Sequence, residues 1–301
     1  MNSESLRILR TGAELRAAAG ELRAGGRRLA LAPTMGNLHA GHESLIRLAR
    51  RHAGVVCVTL FVNPKQFGAG EDFASYPKTP EQDAARAAAA GAQLLYMPGQ
   101  AEIYPPGFAT AVTVSGLSEE LCGAIRPGHF QGVATVVARL LLQAMPDVAV
   151  FGEKDFQQLQ VIRRMVTDLE LPVEIIGAPT VRETDGLALS SRNGYLTPAE
   201  RAIAPALHRT LRESAAAIAG GADIAATLAA GRQRLAAAGM NAVDYLEMRA
   251  EADLTPVTRA GAAPARLFGA VRLGRARLID NVPVPNLPEK LGVNGSLTGT
   301  S

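Results

Sequence analysis

Aromatic residues and cysteine are scarce in this 301-residue chain, and each scarcity excludes a class of protein. Phe, Tyr and Trp together make up 4% of the sequence, and Trp is absent. Surfaces that bind single-stranded nucleic acid depend on aromatic stacking, so such a surface is not expected. The two cysteines, Cys57 and Cys122, have no Cys-x-x-Cys spacing, which argues against a disulfide framework or a structural zinc site.

Long apolar runs and concentrated charge are missing as well. No stretch approaches the ~18 apolar residues of a membrane-spanning helix, and the N-terminus has no apolar signal segment. The 31 basic and 28 acidic residues leave a net charge of +3, and the basic residues are scattered rather than gathered on one face. We therefore expect a cytoplasmic protein with neither a membrane nor a nucleic acid as its partner.

Two common phosphate-binding loops are absent from the sequence. No GxxxxGK[ST] motif occurs, and the single GxG, at Gly68 and Gly70, has Phe73 where a dinucleotide-binding loop needs its third glycine. A nucleotide site in this chain must therefore use another device.

Strand-type apolar runs alternate with helical patterns through the first 185 residues. Capping-box spacings at Thr11 with Glu14 and at Thr79 with Gln82 mark two helix starts. This alternation predicts a Rossmann-like, doubly wound parallel sheet in an α/β domain over residues 1–185. The predicted strands are 29–32, 55–62, 94–97, 111–114, 148–151 and 173–176.

The pattern changes after residue 185. A capping box at Thr197 with Glu200 opens a series of Ala-rich helices that reach Met240, and strand-type runs follow at 243–248 and 266–279. We predict a smaller α+β domain over residues 186–289 that closes over the site as a lid. The Gly/Ser/Thr-rich residues 290–301 are expected to be a disordered tail.

The most informative segment follows the first predicted strand of the α/β domain and reads PTMGNLHAGH from Pro33 to His42. His39 and His42 are three residues apart at the start of a predicted helix, where backbone N–H groups and the helix dipole favour anions. Gly41 allows a ligand to approach the backbone closely. Two imidazoles in this position can stabilise charge on an α-phosphate and on a leaving pyrophosphate.

This segment resembles the HxGH motif of the nucleotidylyltransferase superfamily. Four further segments narrow the resemblance to the pantoate–β-alanine ligase (pantothenate synthetase) family, and it extends over residues 5–287. These segments are FVNPKQF at 61–67, RPGHF at 126–130, FGEKDFQQ at 151–158 and DGLALSSRN at 185–193. The family resemblance implies ATP-dependent adenylation of pantoate, followed by displacement of AMP by the amine of β-alanine. It also implies a homodimer, and Mg²⁺ is expected because the phosphoryl chemistry of ATP uses it.

The resemblance assigns His42, His39 and Lys154 to catalysis, and Lys154 also follows a predicted strand at its carboxyl end. Ser190 to Arg192 look like the KMSKS loop of the superfamily and can bind β- and γ-phosphate oxygens. Asp155 can accept from a ribose hydroxyl or cap a helix. The ATP site that the resemblance implies is Met35, Gly36, Asn37, Leu38, His39, Ala40, Gly41, His42, Gly152, Glu153, Lys154, Asp155, Val181, Leu189, Ser190, Ser191 and Arg192.

Neutral amides are suited to a hydroxy acid, because they bind a carboxylate or hydroxyl without adding charge. The family places Gln66 and Gln158 on pantoate, and Asn63 is a further candidate. Lys65 departs from the apolar residue common in the family, and we expect its side chain to turn outward. No carboxylate cage for a metal is evident, although Asp83 is a weak candidate for Mg²⁺.

Two questions stay open from the sequence, and two further interpretations are disfavoured. The base that takes the amine proton is not identified, and His42 or His39 is a hypothesis. A different HxGH nucleotidylyltransferase, transferring AMP to a phosphate acceptor, is the main alternative. A nucleotide-binding protein without activity is disfavoured by the full set of His39, His42, Lys154 and Arg192. An aminoacyl-tRNA synthetase is disfavoured because no basic anticodon-binding domain is present.

Overall fold

The computed structural model describes residues 5–285 apart from 260 and 262, so the predicted tail at 290–301 lies outside the described residues. Within this part of the chain, no helix has the length and apolar character needed to cross a bilayer.

The N-terminal part forms a doubly wound parallel sheet with helices on both faces. Its strands are β1 (Arg7–Leu9), β2 (Leu29–Thr34), β3 (Val55–Leu60), β4 (Leu94–Tyr96), β5 (Val148–Gly152) and β6 (Glu174–Ala178). Its helices are α1 (Gly12–Arg23), α2 (Ala40–His52), α3 (Pro80–Ala90), α4 (Gln100–Ile103), α5 (Cys122–Ile125), α6 (His129–Ala144) and α7 (Phe156–Asp168). The strand order is β1-β4-β3-β2-β5-β6. The predicted Rossmann-like fold class is confirmed.

The C-terminal part is a smaller α+β unit, as predicted. Its elements are α8 (Pro198–Ile203), α9 (Ala206–Ala219), α10 (Ile224–Ala237), β7 (Ala242–Ala250), β8 (Ala265–Leu273) and β9 (Ala276–Val284). The three strands are antiparallel in the order β7-β8-β9. An apolar cluster joins the sheet to α9 and α10, while Tyr245 and Phe268 of the same sheet belong to the core of the N-terminal part.

Alternation along β2 explains how the large sheet holds a helix layer on each face. Leu29 and Leu31 pack into the cluster that contains α1, α6 and α7. Ala30 and Ala32 face the other cluster, with α2 and α3, where small side chains let the helices approach closely. Successive strand residues point to opposite faces, so this apolar run is buried on both sides.

The sheet topology locates the site before any side chain is considered. From β2 the chain winds to β3 and β4 on one side, and later to β5 and β6 on the other. β2 and β5 are therefore neighbours at a topological switch point, and ligands of open α/β sheets bind at the carboxyl ends of such strands. The His-x-x-His loop leaves β2 there, and the Lys154 turn leaves β5.

Some local predictions were wrong. Residues 111–114 form no strand: the Val112 N–H donates to Thr135 Oγ1 at 3.0 Å, so a side chain takes the place of a strand partner. Thr79 makes no capping bond, and its hydroxyl donates to Asp83 Oδ1 at 3.2 Å. β1 was missed. The capping boxes at Thr11 and Thr197 are confirmed.

Gly132 is the position where α6 touches the turn that carries Gln66. A Cβ at Gly132 would collide with the Lys65 carbonyl and lie 2.7 Å from the Gln66 backbone nitrogen. We expect Gly132→Ala to lower the free energy of unfolding by about 3 kcal/mol, since backbone cannot yield as a side chain does. Urea denaturation measures this. Gly20→Ala, where nothing lies within 4 Å in α1, should instead stabilise by about 0.5–1 kcal/mol. Equal effects of the two variants would contradict the packing argument.

Candidate active site

A cavity of about 880 Å³ opens between the two parts of the chain, at the carboxyl ends of β2, β3 and β5. It is large enough for a nucleotide and a small acid together. The predicted residues that line it are Met35, His39, Gly41, His42, Asn63, Gln66, Gly152, Lys154, Asp155, Gln158, Val181, Leu189, Ser190, Ser191 and Arg192.

Five predicted ATP-site residues belong to the same loops but do not line this cavity: Gly36, Asn37, Leu38, Ala40 and Glu153. Leu38 is 5% exposed and packs into the core on the α2 face of the sheet. The Glu153 carboxylate lies 3.7 Å from Arg266 of β8. These five residues belong to the walls of the site, but their side chains do not line the cavity.

The histidine loop has a defined hydrogen-bond pattern. His39 is the N-cap of α2, and its Nδ1 accepts from the Gly41 N–H at 3.1 Å. His42 Nδ1 accepts from the His39 N–H at 3.3 Å, and the two ring centroids are 4.1 Å apart. Because both Nδ1 atoms are acceptors, both rings are assigned as Nε2–H tautomers. Each ring therefore has an Nε2–H donor left for the cavity.

Both imidazoles are neutral at physiological pH. Burial, with the Lys154 charge second, lowers the pKa of His39 to about 4. Burial, followed by His39 and Lys154, lowers the pKa of His42 to about 3. In the free protein the two rings are therefore uncharged N–H donors. The same two pKa values argue against either ring as the base for the amine proton.

Low histidine pKa values make stability depend on pH. An unfolded histidine has a pKa near 6.5, so between pH 6.5 and about 4 the unfolded chain binds protons that folded His42 does not. Folded stability is therefore complete above pH 6.5 and falls as the pH is lowered. We expect His42 alone to reduce the free energy of unfolding by about 2 kcal/mol between pH 7 and 5.

Urea denaturation at the two pH values tests this, with His42→Gln expected to remove that part of the dependence. The matched control is His52→Gln, because His52 is exposed at the other end of the same helix. An unchanged pH dependence in His42→Gln would contradict the buried neutral ring.

The turn after β5 carries Lys154, whose side chain is 20% exposed and whose Nζ lies 3.7 Å from Asp155 Oδ1. Asn281 of β9 donates from Nδ2 to the backbone carbonyls of Glu153 and Lys154, both at 2.9 Å. The small domain thus holds the backbone of this turn in place. Asp155 makes no side-chain cap to α7, which removes one of its two predicted roles.

Amides line the other side of the cavity. Gln66 Nε2 lies 3.0 Å from the Met35 sulfur, and its Oε1 accepts from Asn63 Nδ2 at 3.0 Å. Asn63 is 1% exposed; its Nδ2 also donates to the Gly132 carbonyl, and its Oδ1 accepts from the Tyr104 hydroxyl at 2.7 Å. Asn63 therefore holds Gln66 through contacts within the protein. Gln158, from the first turn of α7, is partly exposed on the same cavity.

The serine–arginine segment lies at the cavity rim in a 3₁₀ turn, Ser191–Tyr195. Arg192 donates to both carboxylate oxygens of Asp72, from Nε at 3.0 Å and from Nη2 at 2.8 Å. The Nη1 group of the planar guanidinium takes no part in this pair and is suited to an anion. Asp72 was not predicted, because no motif in the sequence around it indicates a partner for Arg192.

A second cluster that was not predicted lies beside Gln66. Arg126 donates to Glu71 from Nε at 2.7 Å, and its Nη1 lies 3.0 Å from His129 Nε2. His129 Nδ1 donates to the Gln66 carbonyl at 2.8 Å. Burial lowers the pKa of His129 to about 4, with the Arg126 charge second. The RPGHF segment, which contains both Arg126 and His129, is the sequence motif from which this cluster could have been predicted.

Lys65 turns away from the cavity, as expected. Its Nζ lies 5.0 Å from the centroid of the Tyr104 ring and 5.2 Å from that of Phe108, both within cation–π range. The charge of Lys65 therefore lies against two aromatic rings and outside the cavity that Gln66 lines.

A built-in metal site is not found in residues 5–259, 261 and 263–285: no group of three or more His, Cys, Asp or Glu side chains is arranged to hold an ion. Mg²⁺ usually keeps several waters and binds through the phosphates of a nucleotide. The side chains of this cavity fit a metal that arrives with ATP.

Comparisons with known proteins agree on one family. The model of the family described as "Pantoate-beta-alanine ligase" matches residues 7–283. A pantothenate synthetase from Rhodospirillum rubrum is 56% identical over 280 residues, covering 93% of this chain and 99% of the relative. One from Acidiphilium cryptum is 56% identical over 283 residues, covering 93% and 100%.

Two solved structures are similar over nearly their whole length. Pantothenate synthetase from Thermus thermophilus has a TM-score of 0.86 at 49% identity and covers 93% of this chain and 99% of that one. A pantoate–beta-alanine ligase from Francisella tularensis, described as complexed with beta-gamma ATP and beta-alanine, has a TM-score of 0.78 at 32% identity, with 92% and 97% covered.

Proposed function

This chain belongs to the pantoate–beta-alanine ligase family, and on that premise we propose that it condenses pantoate with β-alanine using ATP. The reaction passes through pantoyl adenylate and releases pyrophosphate and then AMP. The observation that carries the proposal is the juxtaposition, on one cavity, of two neutral imidazoles, Lys154 and a wall of amides.

In the first step an oxygen of the pantoate carboxylate attacks the α-phosphorus of ATP, and the bond from that phosphorus to the bridging oxygen of pyrophosphate breaks. Negative charge grows on the α-phosphate and on the leaving group. The Nε2–H groups of His39 and His42 donate to these oxygens, and Lys154 supplies the positive charge. The proposal is supported by the Nδ1 bonds of both rings, which leave Nε2–H as the free donor.

Gln66 and Gln158 hold pantoate in this scheme, and the β- and γ-phosphates lie toward Ser190, Ser191 and Arg192. Support comes from their positions on the same cavity wall and rim. Uncharged amides bind the carboxylate without lowering its nucleophilicity as a nearby cation would. Asn63 acts through Gln66, because its own polar atoms are already bonded within the protein.

In the second step the β-alanine nitrogen attacks the carbonyl carbon of the adenylate, an amide bond forms, and the bond to the AMP oxygen breaks. β-Alanine enters as an ammonium ion, so the nitrogen loses one proton before it attacks and a second as it becomes the amide. The pKa values of about 4 and 3 make His39 and His42 weak bases in the free protein, so we assign both protons to the buffered solvent and no base to the protein at this step. Mg²⁺ bound through the phosphates of ATP would neutralise part of their charge.

Isotope transfer tests the proposal. Pantoate labelled with ¹⁸O in its carboxylate is incubated with the protein, ATP and β-alanine, and AMP is examined by mass spectrometry. One ¹⁸O atom should appear in AMP, because the attacking oxygen leaves with the phosphate. Unlabelled AMP would contradict an adenylate. A stable adenylated product formed without β-alanine would instead identify another HxGH nucleotidylyltransferase.

We also propose that the protein is a cytoplasmic homodimer, which sedimentation of the purified chain can test. Both cysteines are free thiols, as expected in a reducing compartment. The segment at 109–111 is exposed and pairs with no strand among the described residues, so a second copy can approach its backbone. A monomer at micromolar concentration would contradict the dimer.

A further inference from the structure

Asp83 is a buried carboxylate beneath the histidine loop. It lies in the first turn of α3 and is 2% exposed, and it does not line the cavity. A buried aspartate needs partners that replace its lost hydration. Among the described residues, the hydrogen-bond partners of its carboxylate come from the loop after β2 and from Thr79.

Two consecutive backbone amides bind this carboxylate. The Leu38 N–H donates to Oδ1 at 2.7 Å, and the Asn37 N–H donates to Oδ2 at 3.0 Å. The Thr79 hydroxyl adds a third bond to Oδ1 at 3.2 Å. Neighbouring N–H groups that point the same way form a natural anion site, which here is filled by the protein's own side chain.

The backbone that supplies these amides has an uncommon conformation. Gly36 has φ of +96° and Asn37 has φ of 51°, so two successive residues have positive φ shortly before the N-cap His39. Glycine and asparagine tolerate this region, and hydrogen bonds from the surroundings select it over other conformations of the loop. Asp83 provides that constraint, and the path of the loop in turn sets where both imidazoles stand.

We propose that Asp83 is the positioning residue of the active site, which fixes the histidine loop so that the His39 and His42 Nε2–H groups point at the reacting phosphate. The proposal rests on the proposed function of this site. It also replaces the weak assignment of Asp83 to Mg²⁺, because an enclosed carboxylate bonded to two amides and a hydroxyl is unsuited to a hydrated ion.

Asp83→Asn is the sharpest test, since it keeps the shape and removes one of the two acceptors. One amide N–H of the loop then faces an NH₂ group, and the loop must move. We expect kcat of pantoate-dependent ATP–pyrophosphate exchange to fall between about 10- and 100-fold, as for a small misplacement of catalytic groups. KM for pantoate and the Mg²⁺ concentration for half-maximal rate should stay within about twofold, because Gln66 and Gln158 lie on other elements.

¹⁵N NMR of the histidine rings reports their tautomers, which a loss of stability alone does not change. The wild-type rings should both give the Nε2–H tautomer signature, and folded Asp83→Asn should give a mixture. The matched control is Glu81→Gln, because Glu81 is an exposed carboxylate in the same turn of α3. This variant should leave the exchange rate and the histidine tautomers unchanged. If Asp83→Asn does not fold, hydrogen exchange of the wild type decides: the Asn37 and Leu38 amides must be protected.

The outcomes separate the two hypotheses. Wild-type exchange that does not depend on pantoate rejects the proposed function, while the tautomer measurement still decides the role of Asp83. A variant as fast as the wild type, a variant restored by excess Mg²⁺, or unprotected Asn37 and Leu38 amides each overturn the positioning role.

Discussion

Replacing Lys154 by methionine should reduce pantoate-dependent ATP–pyrophosphate exchange by about 10²- to 10³-fold, the usual effect of losing one group that binds transition-state charge. Lys154 is the lysine that lines the cavity, and its 20% exposure leaves Nζ able to reach a ligand. Methionine keeps the unbranched shape of the side chain, is one atom shorter and removes the charge. The loss should be in kcat, with KM for pantoate nearly unchanged, because the added phosphate charge exists only in the transition state.

The control for this result is Lys78→Met, at an exposed lysine that does not line the cavity, which should retain wild-type rates. Steady-state exchange over a range of ATP and pantoate concentrations separates kcat from KM. A Lys154→Met protein with more than about a tenth of the wild-type rate would show that the charge is supplied elsewhere.

Removing the imidazole of His42 should have an effect of similar size, about 10²- to 10³-fold in kcat for His42→Ala. The reason differs, because the proposed function uses this ring as a neutral N–H donor. His42→Gln places an amide N–H in the same region, and we expect it to recover roughly tenfold of the loss. Single-turnover formation of pantoyl adenylate, followed after rapid quenching, measures both variants.

The pH profile distinguishes a neutral donor from a charged one. With a pKa of about 3 in the free protein, His42 should cause no inflection in kcat/KM between pH 5 and 8. An inflection near pH 6.5 that disappears in His42→Gln would contradict the neutral ring. Attack of β-alanine on preformed pantoyl adenylate should be unaffected in His42→Ala if water takes the amine proton.

The sequence predicted this part of the site because its signals are local. PTMGNLHAGH contains its own turn, its own N-cap and both rings within ten residues. The turn at Lys154 likewise follows directly from a buried strand. Strand alternation placed both segments at one sheet edge, and that inference needed no knowledge of distant contacts.

The missing parts of the site depend on contacts between remote residues. Arg192 meets Asp72 across 120 positions of sequence, and Asn281 reaches the Lys154 turn across 127. No periodicity reports such pairs. β1 was missed for a different reason: it has three residues and ends its sheet, and Ile8 is 50% exposed, so it has no alternation to detect.

The strand predicted at 111–114 shows the opposite error. Its composition favours β structure, yet strand formation needs a neighbour, and within the described residues Val112 finds only a threonine hydroxyl of α6. Likewise, the spacing at Thr79 fitted a helix cap, but the hydroxyl bonds the buried Asp83 carboxylate and caps no backbone N–H of α3.

The hydrogen bonds from Asn281 to the turn at Lys154 determine the order in which parts of this enzyme can fold during synthesis. Asn281 lies 127 positions after Lys154, whose backbone it secures. On a ribosome the parallel sheet can fold as its strands emerge, but the backbone under Lys154 has no clamp until the strand that carries Asn281 has been made. A truncated nascent chain can therefore hold the nucleotide fold and still lack a finished catalytic centre.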